Sequence, residues 1–189
     1  MKNWKATLLC LMSLLCIDAA AQPAERTLNI RPHRQHTFVW CWGAAAAMVI
    51  EHIGGRRIED CEVLSAYDRS LRGPGTCCMG DPRCVRGGLP GEIDSILTRT
   101  FGIPATSQSS PISFDEIVDN IDEGKPVIIV LWRTPTSAHV VVIEGYRRPG
   151  TVVILDPMSG RQYVPYSTLR ANWQTGVWRD TIMVERGRT

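Results

Sequence analysis

The sequence runs Cys-Trp-Gly-Ala-Ala-Ala-Ala-Met-Val-Ile-Glu-His-Ile from residue 41 to residue 53, and two glycines follow. Alanine has the highest helix propensity and glycine commonly ends a helix, so this stretch predicts a helix that stops at Gly54. Its residues are apolar on nearly every face, which is typical of a helix surrounded by other elements. We therefore expect this helix at the centre of the fold.

Further helices are predicted after the central one, over residues 58–70, 90–102 and 113–124. Pro90 suits the first turn of a helix, and Ser113 with Glu116 three residues later forms a capping box. Short β-branched runs follow at residues 127–132, 139–145, 151–155, 162–165 and 177–184. Helices followed by strands are typical of an α+β domain with an antiparallel sheet.

The composition is that of one folded domain. The chain has 189 residues, of which 44% are hydrophobic and 21% charged, well away from the composition of disordered proteins. The formal net charge is only +2, and no basic tract resembles a nucleic-acid footprint. We therefore expect no nucleic-acid partner.

The first 21 residues have the layout of a secretory signal peptide. Lys2 and Lys5 precede an apolar run at residues 6–17, and alanines at 19–21 precede Gln22. A membrane anchor would need roughly 20 apolar residues, which is longer than this run. We therefore divide the chain into a signal peptide, residues 1–21, and a domain, residues 22–189. The expected product is periplasmic or secreted and has no stable membrane anchor.

Loss of that segment would leave five of the seven cysteines. They are Cys41, Cys61, Cys77, Cys78 and Cys84. Cysteines pair in an oxidising compartment, so an odd number leaves one that needs an explanation.

Cys41 is the candidate for the free thiol. It begins the central helix, where unpaired backbone N–H groups and the positive end of the helix dipole favour a thiolate, the form that attacks a carbonyl carbon. The alternatives are a buried core thiol or half of a disulfide.

With Cys41 free, the other four cysteines form two disulfides. A bond between the adjacent Cys77 and Cys78 is disfavoured by geometry, so Cys61 pairs with one of them and Cys84 with the other. A zinc site made of these thiols with His33 or His36 is an alternative, but the spacings fit no standard zinc motif. We expect neither a metal nor a cofactor.

Three more residues are candidates for a site around Cys41. His139 opens a predicted strand, from which its imidazole can face a helix, and Asp156 ends the next strand, 17 residues later. A hairpin of that length can bring the carboxylate beside the imidazole; the alternative for Asp156 is a turn-initiating role before Pro157. Gln35 lies six residues before Cys41, and its amide with the backbone N–H of Cys41 could bind an oxyanion.

In this order, the candidates resemble the papain-like cysteine peptidases, and most of all the small bacterial branches related to bacteriocin leader peptidases and to papain-like effector proteases. The match lies in Gln35, Cys41 with the tryptophan and small residues that follow it, the strand from His139 to a Gly-Tyr pair, and Asp156. It spans roughly residues 33–184.

The resemblance implies a papain-like α+β fold, in which a helical N-terminal lobe carrying Cys41 packs against a C-terminal antiparallel β-sheet lobe carrying His139. It also implies the roles: Cys41 as nucleophile, His139 as base and acid, Asp156 as the group that orients His139, and Gln35 as an oxyanion donor. Papain has asparagine in the place of Asp156, so we expect a higher histidine pKa here than with an amide partner.

The function implied is that of an exported cysteine peptidase that hydrolyses peptide or protein substrates through a thioester on Cys41. The same triad serves amidases, deamidases and transpeptidases, and a disulfide-bonded binding module with an inert Cys41 is the alternative outside enzymes. Residues 22–34 are too few for an inhibitory pro-region, so restraint of activity would need export, thiol oxidation or a separate protein inhibitor.

Overall fold

The computed structural model describes residues 23–68 and 76–185, so the expected signal peptide lies outside the described residues. Five α-helices occur in these two segments: α1 (Cys41–Gly54), α2 (Asp60–Asp68), α3 (Pro90–Ser95), α4 (Phe114–Asp122) and α5 (Tyr166–Ala171). The strands of the same segments are β1 (Glu25–Thr27), β2 (Ala105–Gln108), β3 (Val127–Thr134), β4 (Ser137–Arg147), β5 (Thr151–Asp156), β6 (Gly160–Pro165) and β7 (Val177–Val184).

The strands form one sheet in the order β2-β7-β3-β4-β5-β6, with β1 added beside the end of β4. Every pair in it is antiparallel. The α+β class and the antiparallel sheet predicted from the sequence are therefore confirmed.

Each face of the sheet carries its own hydrophobic cluster, because successive side chains of a strand point to opposite faces. Ile128 and Val130 of β3 pack in the cluster that contains α1, whereas Ile129 and Leu131 pack in the cluster that contains α4. The four alanines of α1 are completely buried, as expected for a central helix. The sheet is thus covered on both faces, and β1 and β2 from the first half of the chain join it.

Some elements differ from the sequence predictions. The third predicted helix is split into α3 and a π-helical turn, Ile96–Thr100. The capping box before α4 is present: Ser113 Oγ accepts from the Glu116 N–H at 3.1 Å, and the Glu116 carboxylate accepts from the Ser113 N–H at 2.7 Å. Strands β1 and β2 and helix α5 were not predicted, because they are short and carry few apolar residues.

The disulfides are Cys61–Cys78 and Cys77–Cys84, which selects one of the two pairings that the sequence left open. Cys41 is a free, buried thiol. The other four cysteines of residues 23–68 and 76–185 are bonded to one another, so none of these four is left as a thiolate ligand for zinc. His33 and His36 instead contact Glu51 and Asp60.

Within residues 23–68 and 76–185, no helix combines the length and the apolar character that a membrane crossing requires.

Candidate active site

Cys41 is the first residue of α1 and is 7% exposed. The preceding Trp40 gives the helix no side-chain cap, and the first turn carries no acidic side chain. No side chain of the first turn therefore opposes the positive end of the helix dipole at Cys41.

His139 joins Cys41 to Asp156. Its Nε2 lies 2.8 Å from Asp156 Oδ1, and both side chains are almost completely buried. Cys41 and His139 line the same cavity, and the thiol is one of the groups that raise the pKa of His139. Because Nε2 is taken by Asp156, Nδ1 is the ring nitrogen left to interact with the thiol.

The surroundings of His139 favour its charged form. Burial is the largest single influence and lowers its pKa, but it is outweighed by the hydrogen bonds with Asp156 and Cys41 and by their negative charge, which together raise the pKa to about 9. Burial raises the pKa of Asp156. The hydrogen bonds from His139, Met158 and Ser159 outweigh burial and hold the pKa of that carboxyl well below its usual range. A charged imidazole held by a carboxylate is the electrostatic arrangement that stabilises a neighbouring thiolate.

Four donors hold the Asp156 carboxylate. Oδ1 accepts from His139 and from the Met158 N–H at 2.8 Å, and Oδ2 accepts from Ser159 Oγ at 2.7 Å and Gln174 Nε2 at 3.1 Å. Asp156 therefore has both roles, since it initiates a turn and also contacts His139. Ser159 and Gln174 were not predicted from the sequence. A serine three residues after Asp156 is a local signal for the first contact, and nothing in the sequence indicates the second.

Gln35 is held beside the site but does not line the cavity that contains Cys41. Its backbone N–H donates to the Pro157 carbonyl at 3.1 Å, and its Nε2 donates to the Thr37 carbonyl at 2.7 Å. The Oε1 atom is buried without a hydrogen-bond partner. A side-chain amide has two N–H groups, so one donor of Gln35 remains for another acceptor.

A cavity of about 620 Å³ opens above Cys41 and His139. One wall is formed by residues 87–89 and the other by the β3–β4 hairpin, residues 132–140. Its rim is apolar: Phe38 is 82% exposed, Leu89 63% and Met158 54%. Large apolar side chains that are this exposed around a cavity are typical of a binding surface.

The disulfide-bonded loop supports this cavity through the two tryptophans that flank Cys41. Trp40 Nε1 donates to the Cys84 carbonyl at 2.7 Å, and Trp42 Nε1 donates to the Arg86 carbonyl at 3.3 Å. Trp42 is almost completely buried. The wall at residues 87–89 is therefore tied directly to the start of α1.

We expect Gly88→Ala to lower the free energy of unfolding by about 1–3 kcal/mol, the range for overpacking a filled site. A Cβ at Gly88 would lie 2.2 Å from Cδ2 of the rigid Trp42 indole, so the loop or the tryptophan must shift. Gly87→Ala is the matched control, since a Cβ there meets no atom within 4 Å. Urea denaturation of both variants measures the difference, and equal stabilities would show that the loop does not pack tightly on Trp42.

Trp173 and Trp178 belong to the hydrophobic cluster on the α4 face of the sheet. The indole of Trp178 donates to Thr181 Oγ1 at 3.0 Å. Both tryptophans therefore pack in the core on that face of the sheet.

Comparison with known proteins adds to this geometry. A model of the Peptidase C39-like family matches residues 27–181. No curated protein matches the sequence.

Three solved structures resemble the chain at low sequence identity. A C39-like peptidase from Bacillus anthracis has 16% identity and a TM-score of 0.60, covering 87% of this chain and 99% of its own. The peptidase domain of Streptococcus ComA, a bifunctional ABC transporter, has 17% identity and a TM-score of 0.57, covering 84% of this chain and 99% of its own. Xylellain, a cysteine protease from Xylella fastidiosa, has 14% identity and a TM-score of 0.54, covering 89% of this chain and 88% of its own. At these identities the resemblance concerns the fold.

Proposed function

Because the chain belongs to the Peptidase C39-like family of cysteine peptidases, we propose that it hydrolyses peptide bonds through a thioester formed on Cys41. The observation that carries this proposal is the buried His139–Asp156 pair together with the free thiol of Cys41, since Cys41 and His139 both line one open cavity.

In the first half of the proposed reaction, the Cys41 thiolate attacks the carbonyl carbon of the scissile bond. The resulting oxyanion accepts a hydrogen bond from the Cys41 N–H, and the second N–H of the Gln35 amide reaches it once the Gln35 side chain turns toward the cavity. The intermediate collapses as His139 gives its proton to the leaving nitrogen, so the C–N bond breaks, the amine departs and the acyl group stays on sulfur.

In the second half, His139 is neutral and takes a proton from water while the water oxygen attacks the thioester carbon. The C–S bond breaks, the carboxylic acid leaves, and the proton on His139 restores the ion pair with the thiolate. Asp156 accepts from Nε2 throughout, which keeps Nδ1 directed at the sulfur.

The substrate that fits this cavity is an extended peptide or a flexible segment of a protein. The cavity is open and borders the sheet hairpin, and Phe38, Leu89 and Met158 offer apolar contacts at its rim. Apolar side chains of the substrate would be partly removed from water there.

We expect the purified protein to cut bonds in a mixture of peptides obtained from a protein digest. Mass spectrometry distinguishes the alternatives that share the triad: new termini mark a peptidase, a gain of about one mass unit at glutamine marks a deamidase, and joined peptides mark a transpeptidase. An unchanged mixture would favour a binding module and contradict the proposal.

We also propose that the protein is exported by its first 21 residues. The two disulfides support this, because such bonds persist in oxidising compartments. Expression of the full chain in a bacterium should give a periplasmic or secreted product whose first residue is Gln22. A cytoplasmic product that retains Met1 would contradict export.

A further inference from the structure

Gln174 and Thr175 are the central residues of a tight turn closed by paired hydrogen bonds between Trp173 and Gly176, at 3.2 and 2.9 Å. Their φ angles are 52° and 63°, in the left-handed region. A two-residue hairpin turn of this kind favours Asn-Gly, and neither glutamine nor a β-branched threonine is suited to it. The sequence at this turn is therefore not the one that the backbone prefers.

The position of the turn is fixed by packing. The Cβ that a side chain at Gly176 would add lies 2.8 Å from Leu131 Cβ, so the turn lies directly against β3. The chain then enters β7, where Val177 pairs with Trp132 of the hairpin that lines the cavity. This packing holds residue 174 beside the candidate site whatever its side chain is.

The Gln174 side chain uses this position to contact Asp156. Its Nε2 donates to Oδ2, whereas the other donors to the carboxylate are His139 and the local turn groups of residues 158 and 159. Oδ2 thus accepts from a second, distant segment of the chain while Oδ1 accepts from the imidazole. A rotation of the carboxylate that turned Oδ1 away from His139 would also break the bond to Gln174.

We propose that Gln174 is a positioning residue that holds the Asp156 carboxylate in the orientation in which Oδ1 accepts from His139 Nε2. This inference rests on the proposed function, because it assigns Gln174 a part in orienting the same histidine. Glutamine suits the contact despite the unfavourable turn position, because asparagine is one methylene shorter and its amide would reach less far toward Oδ2. Violations of local preference are expected at functional sites, where another requirement outweighs them.

The test uses a double variant that improves the turn while removing the contact. Gln174→Asn with Thr175→Gly installs the preferred Asn-Gly pair, so the melting temperature should stay the same or rise, whereas the His139 pKa should fall by about 0.5–1 unit and kcat/KM about tenfold. Thr175→Gly alone is the matched control: it relaxes the turn, keeps Gln174 and should leave the pKa and kcat/KM unchanged.

The histidine pKa is measured by NMR titration of the full domain, which is practical because the chain has only four histidines. The His139 pKa does not depend on peptide hydrolysis, so its measurement tests the role of Gln174 even if the substrate is of another class. A wild-type His139 pKa in the double variant would overturn the inference, and so would a fall of equal size in the Thr175→Gly control. Absence of peptide cleavage by the wild type would instead count against the proposed function alone.

Discussion

Replacement of Cys41 by alanine is expected to lower kcat/KM for peptide hydrolysis by about 10⁵-fold or more, the order found when the nucleophile of a catalytic triad is removed. Alanine keeps the helix start and its N–H groups but offers no group that can form the thioester. Water activated by His139 would have to attack the peptide bond directly, without the covalent intermediate.

The measurement compares the steady-state hydrolysis of one cleaved peptide by the wild type and the variant. Removing the buried sulfur leaves a small void that costs about 1 kcal/mol, so the variant should remain folded, as circular dichroism can check. Hydrolysis by Cys41→Ala within tenfold of the wild type would contradict a role for this thiol as nucleophile.

Asp156→Asn is expected to lower kcat/KM by about 10²- to 10⁴-fold and to shift its pH dependence. The wild type needs protonated His139, so its rate should fall as the pH rises through the histidine pKa of about 9. Burial lowers that pKa, and the asparagine amide has no charge to oppose it. The alkaline limb of the variant should therefore lie at a lower pH than that of the wild type.

Profiles of kcat/KM from pH 5 to pH 10 measure both effects. Asp119→Asn removes the same charge from the exposed side of α4, on the other face of the sheet, and is the control for a general change in net charge. If kcat/KM of Asp156→Asn falls at the same alkaline pH as that of the wild type, this carboxylate does not set the protonation of the histidine.

The same contacts predict how the ion pair affects stability. The pKa of His139 is raised on folding, so its stabilising contribution is complete below the unfolded value near 6.5 and is lost as the pH rises through about 9. The pKa of Asp156 is lowered on folding, so its contribution is present above the usual value near 3.8 and is lost as the pH falls below it. The pair therefore contributes most between these limits.

Much of this site could be predicted because its residues leave local signals. Cys41 begins a helix whose small residues identify it in the sequence, and His139 and Asp156 lie on consecutive strands. The register of β4 with β5, in which Val142 lies opposite Leu155, brings the imidazole beside the carboxylate. Hydrophobic pattern and connection length predicted the elements that carry these three residues, and the resemblance to papain-like peptidases implied their roles.

The remaining features depend on tertiary contacts that leave no local pattern. Gln174 lies in a turn whose sequence does not favour a turn, and only the packing of Gly176 on Leu131 brings it to Asp156. Strand β2 reads Ala-Thr-Ser-Gln, without apolar alternation, and exists because β7 offers it an edge. The choice of Cys78 rather than Cys77 as the partner of Cys61 likewise follows from the positions of α2 and the loop.

The central claim is that the Cys41 thiolate forms the covalent intermediate, and alkylation of the wild type tests it most directly. The disulfide-bonded protein is treated with iodoacetamide without reductant, then assayed for peptide hydrolysis and mapped by mass spectrometry. We expect a single added group on Cys41, with activity lost in proportion to its occupancy. Full hydrolytic activity in protein that is completely alkylated at Cys41 would contradict it.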